Sequence, residues 1–351
     1  MDKANSLFLE LVQVALGSRD KLSRLPTELE WNELFATAQK QAVAALLLPV
    51  IDKIAEEGNR LPKQLIYSWI GIGQQTMKQN RIVNQRCVEL TKLFAGFGYR
   101  CCILKGQGNA TFYDYPLSRA PGDIDIWIDA DRETIKQLIA TRYSDAKDSI
   151  LHIDFPIFED VPVEVHYRPT IARSNKYNKR LQDYYDSLSD NCFRNVVQLN
   201  EGSINVPVPE LNLVMQMSHV MGHFFEEGIG LRQIIDLYYL LKKTRFERPQ
   251  IGYTLNYLGM GRFTKAMMWL LHYVLGLEEQ YLIAKPDKRR GVLLLNDIMA
   301  GGNFGRFDRR PVKAIYSKSP LLYKIVRNLR FSILFPMETF VSPVFAKLCR
   351  K

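Results

Sequence analysis

The chain has 351 residues, with 47 Lys and Arg against 37 Asp and Glu and a formal charge of +10. Hydrophobic residues make up 47% and charged residues 24%, which excludes wholesale disorder, and the length predicts more than one packed unit. The longest apolar run, Ala42 to Ile51, is broken by Pro49 and falls well short of the roughly 20 residues a spanning helix needs, so no transmembrane helix is expected.

Met1-Asp2-Lys3-Ala4-Asn5 has no basic stretch leading into an apolar core, so the expectation is a cytoplasmic protein without a secretory signal. Five cysteines (Cys87, Cys101, Cys102, Cys192, Cys349) lack CxxC spacing, which predicts buried free thiols rather than a disulfide framework or a cysteine zinc site. Charge is uneven: Arg306 to Lys351 carries 11 Lys and Arg against Asp308 and Glu338, a balance of +9, leaving +1 for the rest.

In chain order, Trp31, Leu34, Phe35, Ala38, Val43 and Leu46 recur at helical spacing, with Pro26-Thr27 ahead of Glu28 and Glu30 as start signals. A long helix is predicted from about Pro62 to Phe94, ended by Gly96 and Gly98. The period then changes. Tyr99 to Leu104 reads as a strand, Lys105-Gly106-Gln107-Gly108 as a turn, and a short helix follows to about Tyr113. A polar loop, 114–122, leads into the alternating strand Asp123-Ile124-Asp125-Ile126-Trp127-Ile128, and a helix from Asp129 and Asp131 runs to about Thr141. Strands Ile150 to Phe158 and Pro162 to Tyr167 follow, joined at Glu159-Asp160. Helices are predicted over Leu211–Phe225, Leu231–Lys243, Gly261–Leu275 and Lys288–Met299. The expected fold is α+β: an N-terminal helical region 1–98, a mixed α/β core 99–207, a C-terminal helical domain 208–305 and a basic amphipathic tail 306–351.

Residues two apart on a strand share a face, so Asp123 and Asp125 project together while Ile124, Ile126 and Ile128 enter the core. Adjacent carboxylates repel, and a divalent cation relieves that repulsion; hard oxygen donors select Mg²⁺ or Mn²⁺. In Val163-Glu164-Val165-His166-Tyr167 the valines share one face and Glu164 and His166 the other. A strand paired near the first would bring Glu164 beside the aspartates, a set suited to two ions and in-line phosphoryl transfer. Lys105-Gly106-Gln107-Gly108 opens a helix, where glycine lets backbone amides approach phosphate; Lys105 and Arg119 add cations.

Leu104-Lys105-Gly106, then Leu117-Ser118-Arg119-Ala120-Pro121-Gly122-Asp123-Ile124-Asp125-Ile126, then Val163-Glu164-Val165-His166 resemble the uncharacterised nucleotidyltransferase family of the DNA polymerase β superfamily. The segments around Trp31 to Leu48 and Gly230-Leu231-Arg232-Gln233-Ile234-Ile235-Asp236 extend the resemblance to about Gly305. It implies a polymerase-β-like core with a short mixed sheet between helical regions. It further implies Mg²⁺- or Mn²⁺-dependent transfer of a nucleoside monophosphate from an NTP, ATP among them, to an acceptor hydroxyl on a small molecule, protein or RNA end, releasing pyrophosphate. Asp123, Asp125 and Glu164 would hold two ions, and Glu164 would help deprotonate the acceptor. Gly106 and the following amides of Gln107 and Gly108 would hold phosphates that Lys105 and Arg119 neutralise. One departure stands out: the superfamily turn is Gly-Gly or Gly-Ser, and this chain has Gly106-Gln107.

His219 and His223, four apart on a predicted helix, are either half of a zinc site or hydrogen-bonding residues near the nucleotide pocket. Arg232 either pairs with Asp236 one turn on or touches phosphate or acceptor. His166 either bonds substrate or covers the sheet edge, and Trp127 is expected to pack. The tail interleaves Leu321, Leu322, Ile325, Val326 and Leu329 with Lys324, Arg327 and Arg330, which reads as a packed final helix with a basic face or as a contact for RNA or anionic membrane. Two further readings are therefore a noncatalytic nucleotide- or nucleic-acid-binding module on the same fold, and a peripheral membrane protein acting through its tail.

Overall fold

The computed structural model describes residues 3–56, 61–310 and 319–336. Four helices come first: α1 (Lys3–Ala15), α2 (Glu28–Lys40), α3 (Ala44–Glu56) and α4 (Lys63–Gly96). Thr27 and Glu30 close a reciprocal capping box at the start of α2, as Pro26-Thr27 ahead of the two glutamates suggested. The apolar period read through Trp31 to Leu46 is split at Ala42, whose φ of 56° ends one helix and turns the chain into the next. Trp69 of α4, fully buried, donates its indole N–H to Ala44 O at 2.8 Å and locks α3 against α4.

The sheet follows as β1 (Cys101–Leu104), β2 (Ile124–Ile128), β3 (His152–Asp154) and β4 (Val163–His166), with α5 (Gly106–Ala110) after β1 and α6 (Arg132–Ala140) after β2. Its order is β1-β2-β4-β3, with β2 and β4 parallel and the two outer pairs antiparallel. The strand expected over Ile150 to Phe158 is confined to three residues. α7 (Asn175–Cys192) and a hairpin of β5 (Val196–Leu199) and β6 (Gly202–Asn205) complete the segment, neither of them read individually from the sequence.

The last part is helical: α8 (Pro209–Glu226), α9 (Leu231–Lys243), α10 (Arg248–Tyr257), α11 (Gly261–Trp269) extended by a π-helical turn at Leu270–Val274, α12 (Lys288–Gly301) and α13 (Pro320–Leu329). Two apolar cores divide the protein. One contains Ile103, Ile124, Ile126, Ile128, Val163 and Val165 from one sheet face, with Cys87 and Phe94 of α4. The other joins Leu11 and Trp31 from the first helices to Leu213, Leu240 and Phe335 from the last. The second sheet face sends Cys102, Leu104 and Trp127 into that other core and leaves Asp125, Glu164 and His166 beside a cleft walled by residues of α8 and α9.

The described part of the basic tail turns inward. Asp297 of α12 receives Arg310 at 2.7 Å and Arg327 at 2.5 Å, and also pairs with Arg330. Phe331 and Phe335 are fully buried. Segments 311–318 and 337–351 of the expected tail lie outside the described residues, as does Cys349. The other four cysteines are buried free thiols. Among the described residues no helix is long and apolar enough to cross a membrane.

Candidate functional site

Strand register assembles the site. Asp125 stands opposite Leu104 on one side and Glu164 on the other, so the parallel pairing of β2 with β4 sets the two carboxylates side by side on the polar face. Asp123 precedes β2 on the same face. Carboxylate oxygens of Asp123, Asp125 and Glu164 lie within 4.8 Å of one another. They line a cleft of about 350 Å³ with Lys105, Gly106, Asn109, Arg119, Arg232 and Asp236, closed on the far side by His219, His223 and Phe304.

The turn between β1 and α5 is strained where it meets the carboxylates. Lys105 has φ 52° and ψ −136°, and Gly106 follows at φ 37°. Glycine adopts a left-handed φ freely, whereas Lys105 does so at a cost of about 1–3 kcal/mol. The strained residue is held by its contacts: Lys105 Nζ lies 2.9 Å from Asp125 Oδ1 and 3.4 Å from His219 Nδ1. His166 Nε2 reaches the same Asp125 oxygen at 2.8 Å.

These contacts set the charge states. Burial opposes ionisation of Asp125, but Lys105 and His166 outweigh it and hold its carboxyl well below the usual range. Burial likewise opposes ionisation of Glu164, yet His152 and His166 lower its pKa to about 2. Asp123, which is open to the cleft, goes the other way: partial desolvation by the surrounding cleft walls and then the neighbouring charge of Asp125 raise it. His219 is pushed well down by burial and then by Lys105 and His223, so it faces the cleft as a neutral imidazole.

The cleft brings together Lys105, Gly106, Arg119, Asp123, Asp125, Glu164 and Arg232. Gln107 and Gly108 stand apart from it. Gln107, 2% exposed, points its side chain back into α4, bonding Asn84 and Asn80. Gly108 packs against Val206, just past β6, where an added Cβ would lie 2.9 Å from Cγ1.

Arg119 is on the cleft wall, but its guanidinium is engaged in a bidentate pair with Asp236, which also accepts from Tyr113 Oη at 2.7 Å. The pairing of Arg232 with Asp236 on one helix is therefore not formed; Arg232 Nη1 instead donates to Ala120 O at 3.0 Å, and its Nε is buried without a partner. His166 neither caps a sheet edge nor stands exposed, because β3 covers β4 and Asp125 takes its Nε2. Trp127 packs on Phe193, with ring centroids 4.6 Å apart.

His219 and His223 meet edge to face with ring centroids 4.3 Å apart, and His223 bonds Glu227 at 2.7 Å; among the described residues no third donor joins them in a metal-sized cluster. Three cleft residues carried no readable signal. His152 sits in a strand too short to show alternation, while Asn109 and Gln216 meet only through the α5–α8 contact, where Gln216 Nε2 donates to Asn109 Oδ1 at 3.0 Å.

The profile of a family described as an uncharacterised nucleotidyltransferase matches residues 27–276, most of the chain and all of the sheet. A search of curated proteins finds no match. Among solved structures, an antigenic nucleotidyltransferase-like protein from Paracoccidioides brasiliensis is similar at 13% identity and a TM-score of 0.35, covering 60% of this chain and 94% of that one.

Proposed function

Since the chain belongs to the uncharacterised nucleotidyltransferase family, we propose that it transfers a nucleoside monophosphate from an NTP to an acceptor hydroxyl, with release of pyrophosphate. The observation that carries this reading is the convergence of Asp123, Asp125 and Glu164 on one cleft wall beside the Lys105-Gly106 turn.

The donor set fits a hard divalent ion such as Mg²⁺ or Mn²⁺. Three carboxylates within 4.8 Å gather negative charge that the Lys105 ammonium and the neighbouring imidazoles of His152 and His166 only partly offset. Asp123, Asp125 and Glu164 would hold two ions, which when bound would activate the attacking oxygen and stabilise the leaving one. The chain's own residues take the other roles. Lys105 and Gly106 border the space proposed for the phosphates. Arg232, with its unpartnered Nε, is the better placed guanidinium for phosphate or acceptor, and Arg119 positions the 114–122 loop through Asp236. Glu164 completes the metal set; a carboxyl held at about 2 stays ionised and open to a metal but is a weak base, which limits its help in deprotonating the acceptor.

One observation favours the noncatalytic alternative: Lys105 and His166 already compensate Asp125 from within the chain. Calorimetric titration with ATP, GTP, CTP and UTP, with and without Mg²⁺, separates the two. Metal-dependent binding that disappears in a folded Asp123→Asn plus Asp125→Asn variant is the expected result. Binding of NTP that ignores both the metal and the substitutions would sink the transferase reading.

A further inference from the structure

We propose that His152, Glu164 and His166 form a second, chemically distinct metal position, taking a borderline divalent transition ion such as Zn²⁺ or Cu²⁺. The antiparallel register of β3 on β4 sets His152 opposite His166 and Asp154 opposite Glu164. Nitrogen atoms of both imidazoles and an oxygen of Glu164 lie within 4.8 Å of one another. Two of the spacings are close to those of a coordination shell: His152 Nδ1 is 3.0 Å and His166 Nε2 3.5 Å from Glu164 Oε2. Neighbouring ligands around an ion with bonds of about 2.1 Å sit roughly 3.0–3.4 Å apart.

Two details point to a ligand rather than to simple packing. His152 Nδ1 is shielded from solvent and makes no well-directed hydrogen bond, despite its approach to Glu164. His166 turns Nδ1 to Arg168 O at 3.2 Å, the backbone contact that typically orients a ligating histidine, and aims Nε2 at the carboxylates. Two imidazoles with one carboxylate favour transition ions over Mg²⁺, whereas the all-oxygen set of Asp123, Asp125 and Glu164 favours the hard ion. Glu164 belongs to both sets and would bridge them. The site thus deepens the transferase reading by setting a nitrogen-rich position beside the carboxylate set, although binding of the ion needs no nucleotide.

The test uses the full chain stripped of metal with a chelator. Zn²⁺ and Mg²⁺ are titrated calorimetrically without nucleotide, and Cu²⁺-loaded protein is examined by pulsed EPR for coupling to ¹⁴N. The expected results are nitrogen coupling in the wild type and Zn²⁺ affinity reduced about tenfold or more in His152→Gln. Asp123→Asn should retain the coupling. Absent nitrogen coupling in folded wild type, or Zn²⁺ affinity unchanged in His152→Gln, overturns the proposal. Nitrogen coupling in a protein that binds no NTP would sustain this site while removing the transferase reading. Mg²⁺-dependent NTP binding with no nitrogen coupling would do the reverse.

Discussion

Arg119 and Asp236, 117 residues apart, form a buried two-pronged ion pair, with Nε to Oδ1 and Nη2 to Oδ2 both 2.8 Å. Their side chains are 5% and 7% exposed, and Tyr113 adds a hydrogen bond to the same carboxylate. The pair fastens the loop ahead of β2 to α9 and so fixes where Asp123 enters the cleft. Removing one partner leaves the other charge buried without compensation, which costs about 3–5 kcal/mol. Asp236→Asn should lower the free energy of urea unfolding by that amount. Arg119→Lys should also destabilise, because an ammonium cannot make the fork. A loss under about 1 kcal/mol in both variants would show that the pair does not anchor the loop.

Gln107, the residue that departs from the superfamily turn, makes a different prediction. Its amide serves α4 through Asn84 and Asn80 and leaves the cleft untouched. Gln107→Ser, which restores a small residue, should therefore cost about 1–2 kcal/mol by orphaning the buried acceptors Asn80 Oδ1 and Asn84 Oδ1. It should leave NTP affinity unchanged. Tighter NTP binding in that variant would mean that the glutamine does obstruct the phosphates.

What the sequence made legible follows from how local each signal is. The alternation in Asp123 to Ile128 and in Val163 to His166 depends only on neighbouring residues, and both strands form with the polar side chains on the anticipated face. The long helix ending before Gly98 is set by local propensity and a positive φ of 83° at that glycine. Arg119–Asp236 was hidden because nothing local distinguishes it from the rival pair Arg232–Asp236 at helical spacing. His152 was hidden because β3 has three residues and takes its meaning only from register with β4. Asp297 likewise looks ordinary until the chain folds three tail arginines onto it.

That convergence carries its own prediction. Asp297 is 4% exposed and faces Arg310, Arg327 and Arg330, of which Arg327 is itself 3% exposed. Asp297→Asn leaves a buried guanidinium without its counter-charge, at about 3–5 kcal/mol. Limited proteolysis should then cut first around α13, freeing the tail while the sheet stays protected. Cleavage unchanged from wild type would indicate that Phe331, Phe335 and the hydrogen bonds of Arg327 and Asn328 to Phe224 O and Phe225 O hold the segment without Asp297.

Acid should loosen the same region through Asp308. Burial opposes its ionisation, but hydrogen bonds from Arg310, 2.7 Å from Nε and 2.6 Å from Nη2, lower its pKa to about 2. The unfolded value is near ~3.9, so the folded chain binds its proton less readily than the unfolded chain does. A lowered folded-state pKa contributes stability that is present above the unfolded value and is lost as pH falls from about 4 toward 2. Asp308→Asn removes that contribution at every pH. The unfolding free energies of wild type and Asp308→Asn should therefore differ most at neutral pH and converge as pH falls below about 4. Parallel curves from pH 7 to 2.5 would show that the Arg310 contacts are no stronger in the folded chain than in the unfolded one.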